Sequence, residues 1–195
     1  PEFPLPVFGV SVINKLIPFV TGFGYLKVTP STSPTKSAQF SLTKTPQHTY
    51  CVVKTCVLNK LQPVLQTVYF NQSMPFQNKP KIILAHKMYG FPYLDLEGKL
   101  GVSFRDNFII TISDEALKND KNKKRLERKL LTKIKDFLST KLALYIFEAA
   151  RYRMKYLDKY AFQFIPDITK LPNLPTLIND TTLAKYFALD EKEQK

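Results

Sequence analysis

Negative charge is nearly missing from the first half of this sequence. After Glu2 no acidic residue occurs until Asp95, yet Lys15, Lys27, Lys36, Lys44, Lys54, Lys60, Lys79, Lys81 and Lys87 fall within that span. A solvated surface ordinarily mixes both signs, and a lysine-rich compositional bias would raise Lys without removing Asp and Glu. One-sign charge over nearly half of 195 residues, in a chain of formal net charge +13, points to a surface kept positive for a polyanionic partner.

Cysteine and histidine are scarce as well. Cys51 and Cys56 are the only cysteines; their spacing of five predicts opposite faces of a strand, hence free thiols in a reducing compartment rather than a disulfide. His48 and His86 are the only histidines, and no C-x-x-C or H-x-x-x-H spacing exists, so no metal site is expected. No apolar run approaches the roughly 18 residues needed to span a bilayer. The opening PEFPLPVFG has neither Met nor the pattern of a signal peptide. The expected location is cytoplasmic, with no membrane partner, and Pro1-Glu2-Phe3 reads as a cloning scar on a fragment of a longer chain. G-x-S-x-G, the P-loop and G-x-G-x-x-G are all absent, and no Ser/His/Asp arrangement stands out, so no catalytic residue is assigned.

What is present is enough apolar sequence for a core: 44% hydrophobic and 13% aromatic. Residues 23–112 read mostly as strands. FGYLKV and SAQFSLT alternate, the latter with Ala38, Phe40 and Leu42 on one face. TYCVVKTCVL, VLQTVYF, KIILAHK, YLDLEG and NFIITIS are β-branched or aromatic, and turn residues such as Gln62-Pro63 separate them. At Ser113 the character changes. A cap signature is followed by a helical stripe through Leu126, Leu130, Ile134, Phe137 and Leu138, then by a second, more apolar helix, a proline-punctuated stretch and a short helix over about residues 180–189. Strands first and helices last predict an α+β fold. It would be a single domain: a β-rich part over 1–112, mostly antiparallel; a helical part over 113–165; and a C-terminal tail over 166–195.

The acidic stretch Asp95-Leu96-Glu97-Gly98-Lys99 resembles a nuclease metal site in miniature, with Glu97 two residues before Lys99 and Asp95 as the second carboxylate for Mg²⁺. Gly98 between them predicts a solvated hairpin tip instead, which would hold a metal loosely. Binding carries the better signal. Basic residues interleave with aromatics and amides in HKMYGFPY, SFRDNF and RYRMKY, and such side chains contact phosphates and base edges.

Several segments, taken in order, resemble the C-terminal target-recognition region of adenine-specific DNA methyltransferases and fused type II restriction–modification enzymes. They are Y-x-V-V-K-T at 50–55, N-K-P-K-I-I-L at 78–84, D-x-E-G-K-x-G at 95–101, L-S-T-K-L at 138–142, F-I-P-D-I at 164–168, and D-T-T-L-A-K-Y-F-A-L-D-E-K-E at 180–193. The likeness covers most of the chain from about residue 40. The family's catalytic Asn/Asp-Pro-Pro-Tyr/Phe and its glycine-rich cofactor motif are absent. The resemblance thus implies a sequence-reading domain for double-stranded DNA without a catalytic core. S-adenosylmethionine, and Mg²⁺ in a version that also cleaves, would belong to the parent enzyme, whose methyltransferase domain would be a partner in the same chain. Lys54 with the other first-half lysines, Arg125, Arg128 and Lys129 would hold phosphates, Arg151 and Arg153 would contact phosphates or guanine edges, and loops carrying Lys36, Lys44, His86, Lys87, Tyr89 and Arg105 would enter the major groove and read bases. Two other classes compete: a scaffold whose basic face docks an acidic protein, and the Mg²⁺-dependent nuclease using Asp95, Glu97 and Lys99.

Overall fold

The computed structural model describes residues 8–59, 62–86, 91–118, 120–150 and 157–194. The elements run α1 (Val10–Phe23), β1 (Thr29–Pro30), β2 (Phe40–Ser41), β3 (Tyr50–Asn59), β4 (Gln62–Phe70), β5 (Lys81–Ala85), β6 (Tyr93–Asp95), β7 (Gly101–Val102), β8 (Asn107–Ile110), α2 (Asp114–Leu117), α3 (Lys123–Leu138), α4 (Lys141–Ala149), a 3₁₀ turn (Lys159–Phe164) and α5 (Asp180–Tyr186). The fold is α+β, β-rich towards the N-terminus and helical towards the C-terminus, with 14-residue α1 ahead of the strands. The sequence reading assigned nothing to α1. Its Val12, Ile13 and Leu16 form one buried stripe of helical spacing. Two compact units result, Val28–Leu131 and Pro1–Lys27 with Thr132–Lys195.

The first of these is built from two four-stranded sheets. One, ordered β1-β8-β5-β6, is wholly antiparallel. The other, ordered β2-β4-β3-β7, is antiparallel except where β7 runs parallel to β3. Val53 and Val102 from one sheet meet Ile83 and Ile109 from the other in a shared core. All five residues of β5 are buried, as expected of a β-branched run in an interior strand. Burying each large aliphatic side chain contributes about 1.5–3 kcal/mol.

Three local expectations are corrected. Gln62-Pro63, read as a separator, lies within β4, where Leu58 pairs with Pro63. Since β2 covers only Tyr69 and Phe70, this end of β4 is an open edge on that side, where the missing N–H of proline is tolerated. Cys51 and Cys56 are free, but not because they face apart. The register shifts between Val53 and Thr55, leaving Lys54 as a bulge, and Cys51, Val53 and Cys56 pair with Tyr69, Thr67 and Leu65, which share a face. Distance along the strand, not orientation, separates the thiols. Third, Asp95–Lys99 is not a hairpin tip joining two paired strands. β6 belongs to the first sheet and β7 to the second, so the segment is a corner between sheets.

In the other unit, α1 runs into Gly24, Tyr25 and Leu26. Leu26 donates its N–H to Ile165 O (2.9 Å), Asp167 donates to Gly24 O (2.9 Å), and Tyr25 bridges Pro166. F-I-P-D-I is thus a strand-like clasp on the end of α1. The Thr140 hydroxyl caps α4 by accepting from Ala143 N, and Asn179 with Thr182 makes a reciprocal capping box on α5.

Candidate nucleic-acid interface

The corner explains the two most conspicuous motifs together. Lys81, with no exposed surface, places its Nζ 2.6 Å from Asp95 Oδ2 and donates to Lys79 O (3.0 Å). Burial pulls its pKa down, and the hydrogen bond and charge of Asp95 oppose that. The Asp95 carboxylate also accepts the backbone N–H groups of Lys99 (3.1 Å) and Leu100 (3.0 Å). Gly98 adopts φ 66°, and a Cβ there would stand 2.6 Å from Lys79 N, so only glycine fits against the Asn78–Lys79 backbone. Asn78 N–H bonds Gly98 O (2.8 Å), and the Gln77 amide bonds Lys99 O (2.7 Å). N-K-P-K and D-x-E-G-K interlock into one joint. With Asp95 committed to a buried ion pair and two amides, its oxygens are spent on structure. Glu97 is exposed and pairs with Arg128 (2.6 Å). The nuclease alternative therefore lacks its second metal carboxylate.

Among the described residues, the candidate cations other than Lys44, which follows β2, fall into two groups towards opposite ends of β5. Arg125, Arg128 and Lys129 are exposed on α3. Arg128 answers Glu97 near the Lys81 end, beside a cleft of about 370 Å³ lined also by Lys124 and Glu127. Burial first, then the charge of Asp114, pushes the Glu127 carboxyl up. This surface mixes both signs.

At the Ala85 end the arrangement differs, and Asn107 organises it. Wholly buried at the start of β8, Asn107 is bonded twice to Ser31, receiving the Ser31 N–H at its carbonyl (2.8 Å) and donating its own backbone N–H to the Ser31 hydroxyl Oγ (3.2 Å). Its side-chain amide donates to Lys54 O (3.0 Å), so the bulge of β3 is tied to the other sheet here. Ser103 Oγ donates to Thr32 O (3.1 Å), and Ser31 Oγ donates to Phe104 O. The loop bearing Lys36 therefore lies beside the turn bearing Arg105, which precedes β8 rather than sitting on it. Phe104 holds φ 68°, an outlier for a bulky residue that costs about 1–3 kcal/mol. Its ring is fixed against Phe40 (centroids 5.9 Å) and Phe70 (6.1 Å). Lys36, Lys44, Lys54 and Arg105 are all exposed, and none joins an ion pair among the described residues.

His86 also lies at this end, with its N–H bonded to Asp106 O (3.0 Å). It is half-buried and stacks on Phe108 at 4.2 Å between centroids, so one ring face is used in packing. Lys87, Tyr89, Arg151 and Arg153 fall outside the described residues. Sequence reading missed Asn107 as the organiser and Lys81 as a buried ion. A lysine inside P-K-I-I-L, with one acid downstream, was the available signal for the second.

Comparison with protein-family models, with curated proteins and with solved structures finds no match in any of the three. Among the described residues there is no group of three or more His, Cys, Asp or Glu side chains suited to a metal ion, and no helix long and apolar enough to cross a membrane.

Proposed function

We propose that the chain is a sequence-reading domain for double-stranded DNA, of the kind that serves adenine-specific methyltransferases and fused restriction–modification enzymes as their target-recognition region. One observation carries the reading. The acid-free half of the sequence delivers Lys36, Lys44 and Lys54, with Arg105, as exposed cations that join no ion pair among the described residues, on loops, a bulge and a turn, three of them (Lys36, Lys54 and Arg105) on segments tied together around Asn107. Cations free of internal partners are available for phosphate, and each neutralised phosphate releases counterions, which makes affinity steeply salt-dependent. Short loops held by a rigid two-sheet frame suit base-edge reading, at about 1–3 kcal/mol of discrimination per bidentate contact. Methyl transfer, S-adenosylmethionine and any Mg²⁺-dependent cleavage belong in this reading to a catalytic domain of the parent chain.

The test is selection from a pool of random duplexes at low salt, followed by competition with heparin and with an acidic protein. Enrichment of one short motif that unrelated duplexes do not displace is the expected result. Equal displacement by heparin, without an enriched motif, would replace the DNA reader with a scaffold for acidic partners.

A further inference from the structure

The outer face of the second sheet carries aromatic surface that the frame does not cover. Phe40 and Tyr50 are both cross-strand partners of Phe70, on the two flanking strands. Phe70 is fully buried, but Phe40 is 48% and Tyr50 38% exposed, and Leu42, just past β2, is 77% exposed. Two strand spacings of about 4.8 Å place their backbones roughly 10 Å apart. Phe40 is held against Phe70 at 5.5 Å and edge-on to Phe104 at 5.9 Å, so its orientation is fixed. Cations surround this patch in the chain. Lys36 sits in the turn before Ala38, a member of the same apolar cluster; Lys44 lies two residues beyond Leu42; and Arg105 follows Phe104.

Single exposed rings are ordinary. Two rings on one sheet face, bordered in the chain by cations that join no ion pair among the described residues, match the stacking platforms that hold unpaired bases while basic side chains track the phosphates. Inside B-form DNA the base faces are hidden in the stack, so rings lying on a sheet face meet only bases that have left it. We infer that this face is a platform for unpaired DNA bases, with Phe40 and Tyr50 as the stacking rings and Lys36, Lys44 and Arg105 as phosphate anchors. The inference rests on the DNA-binding reading above and adds the state of DNA it takes: strands opened or extruded beside the recognised duplex.

Fluorescence anisotropy with three labelled probes tests it: a short single strand, the matching duplex, and that duplex with an unpaired bulge. Phe40→Leu and Tyr50→Leu keep apolar bulk over Phe70 but remove the rings, and a melting curve confirms that each is folded. Each ring lost is expected to weaken single-strand and bulge binding by about 5- to 150-fold, with little change for the intact duplex. If the wild type binds the probes and Phe40→Leu with Tyr50→Leu binds all of them equally well, the platform is overturned while the duplex reader stands. Should the wild type bind none of the DNA probes, both readings fall. Preference for a single-stranded RNA of the same sequence would overturn the DNA assignment.

Discussion

Lys81 is a lysine placed in the interior of a strand run, Pro80-Lys81-Ile82-Ile83-Leu84, and a buried cation is costly unless it is paired and hydrogen-bonded. Asp95 and the Lys79 carbonyl supply the partners. Removing only one member leaves a buried charge, so Lys81→Met is expected to cost about 3–5 kcal/mol in urea unfolding. Asp95→Asn, which keeps an acceptor for the Lys99 or Leu100 amide, strands the lysine similarly. The double variant should be less destabilised than the sum of the two, and additive losses would show that the pair is not coupled. A second ion pair yields a pH prediction. Lys15 bonds the Glu193 carboxylate and Ala188 O, and this partnership, aided by the Asp190 amide, holds the Glu193 carboxyl below its ordinary range. A depressed carboxyl contributes stability above its unfolded value, near 4.3, and loses it as pH falls through the lower folded value. Glu193→Gln should therefore melt below the wild type at neutral pH, and the two melting curves should converge in acid. A constant gap down to low pH would contradict the assignment.

Among the elements, those with strong periodicity were legible and those shaped by tertiary pairing were not. β3, β4, β5 and β8 lie where β-branched runs predict them, and α3 buries Ile134, Phe137 and Leu138 of the predicted stripe. SAQFSLT alternates over seven residues, yet only Phe40–Ser41 pairs, with Phe70 and Tyr69, because the chain bends after Ser41 and the Thr43 N–H turns back to Ser41 Oγ (3.2 Å). That short pairing leaves Leu42 in solvent and Phe40 half out of it. The joint between N-K-P-K and D-x-E-G-K was hidden because pattern along a chain does not reveal that Lys81 meets Asp95. The motifs behind the family resemblance also act as structural punctuation. Y-x-V-V-K-T contains the bulge, L-S-T-K-L a helix cap, F-I-P-D-I a clasp, and the last motif follows directly on the Asn179 cap. Thr140→Ala should then cost about 0.5–2 kcal/mol, somewhat more if the buried bond to Phe137 O (2.7 Å) adds to the cap. Thermal unfolding measures it, and an unchanged midpoint would deny Thr140 that role.

At the scale of the whole molecule, two basic surfaces compete for the proposed DNA contact. The α3 surface offers Arg125, Arg128 and Lys129, but Glu97 and Glu127 lie in the same cleft as Arg128. The surface around Asn107 offers Lys36, Lys54 and Arg105 on a rigid support, with Asp106 as the acid beside Arg105. Phosphate contacts reveal themselves as slope in a plot of log affinity against log salt, about 0.9 per contact on duplex DNA. The most direct measurement is that slope for the wild type, for Lys36→Glu/Lys54→Glu/Arg105→Glu and for Arg125→Glu/Lys129→Glu. The Asn107-centred reading predicts a slope roughly three units flatter, and much weaker binding, for the first variant, with a smaller change for the second. An unchanged slope in the first variant would contradict it.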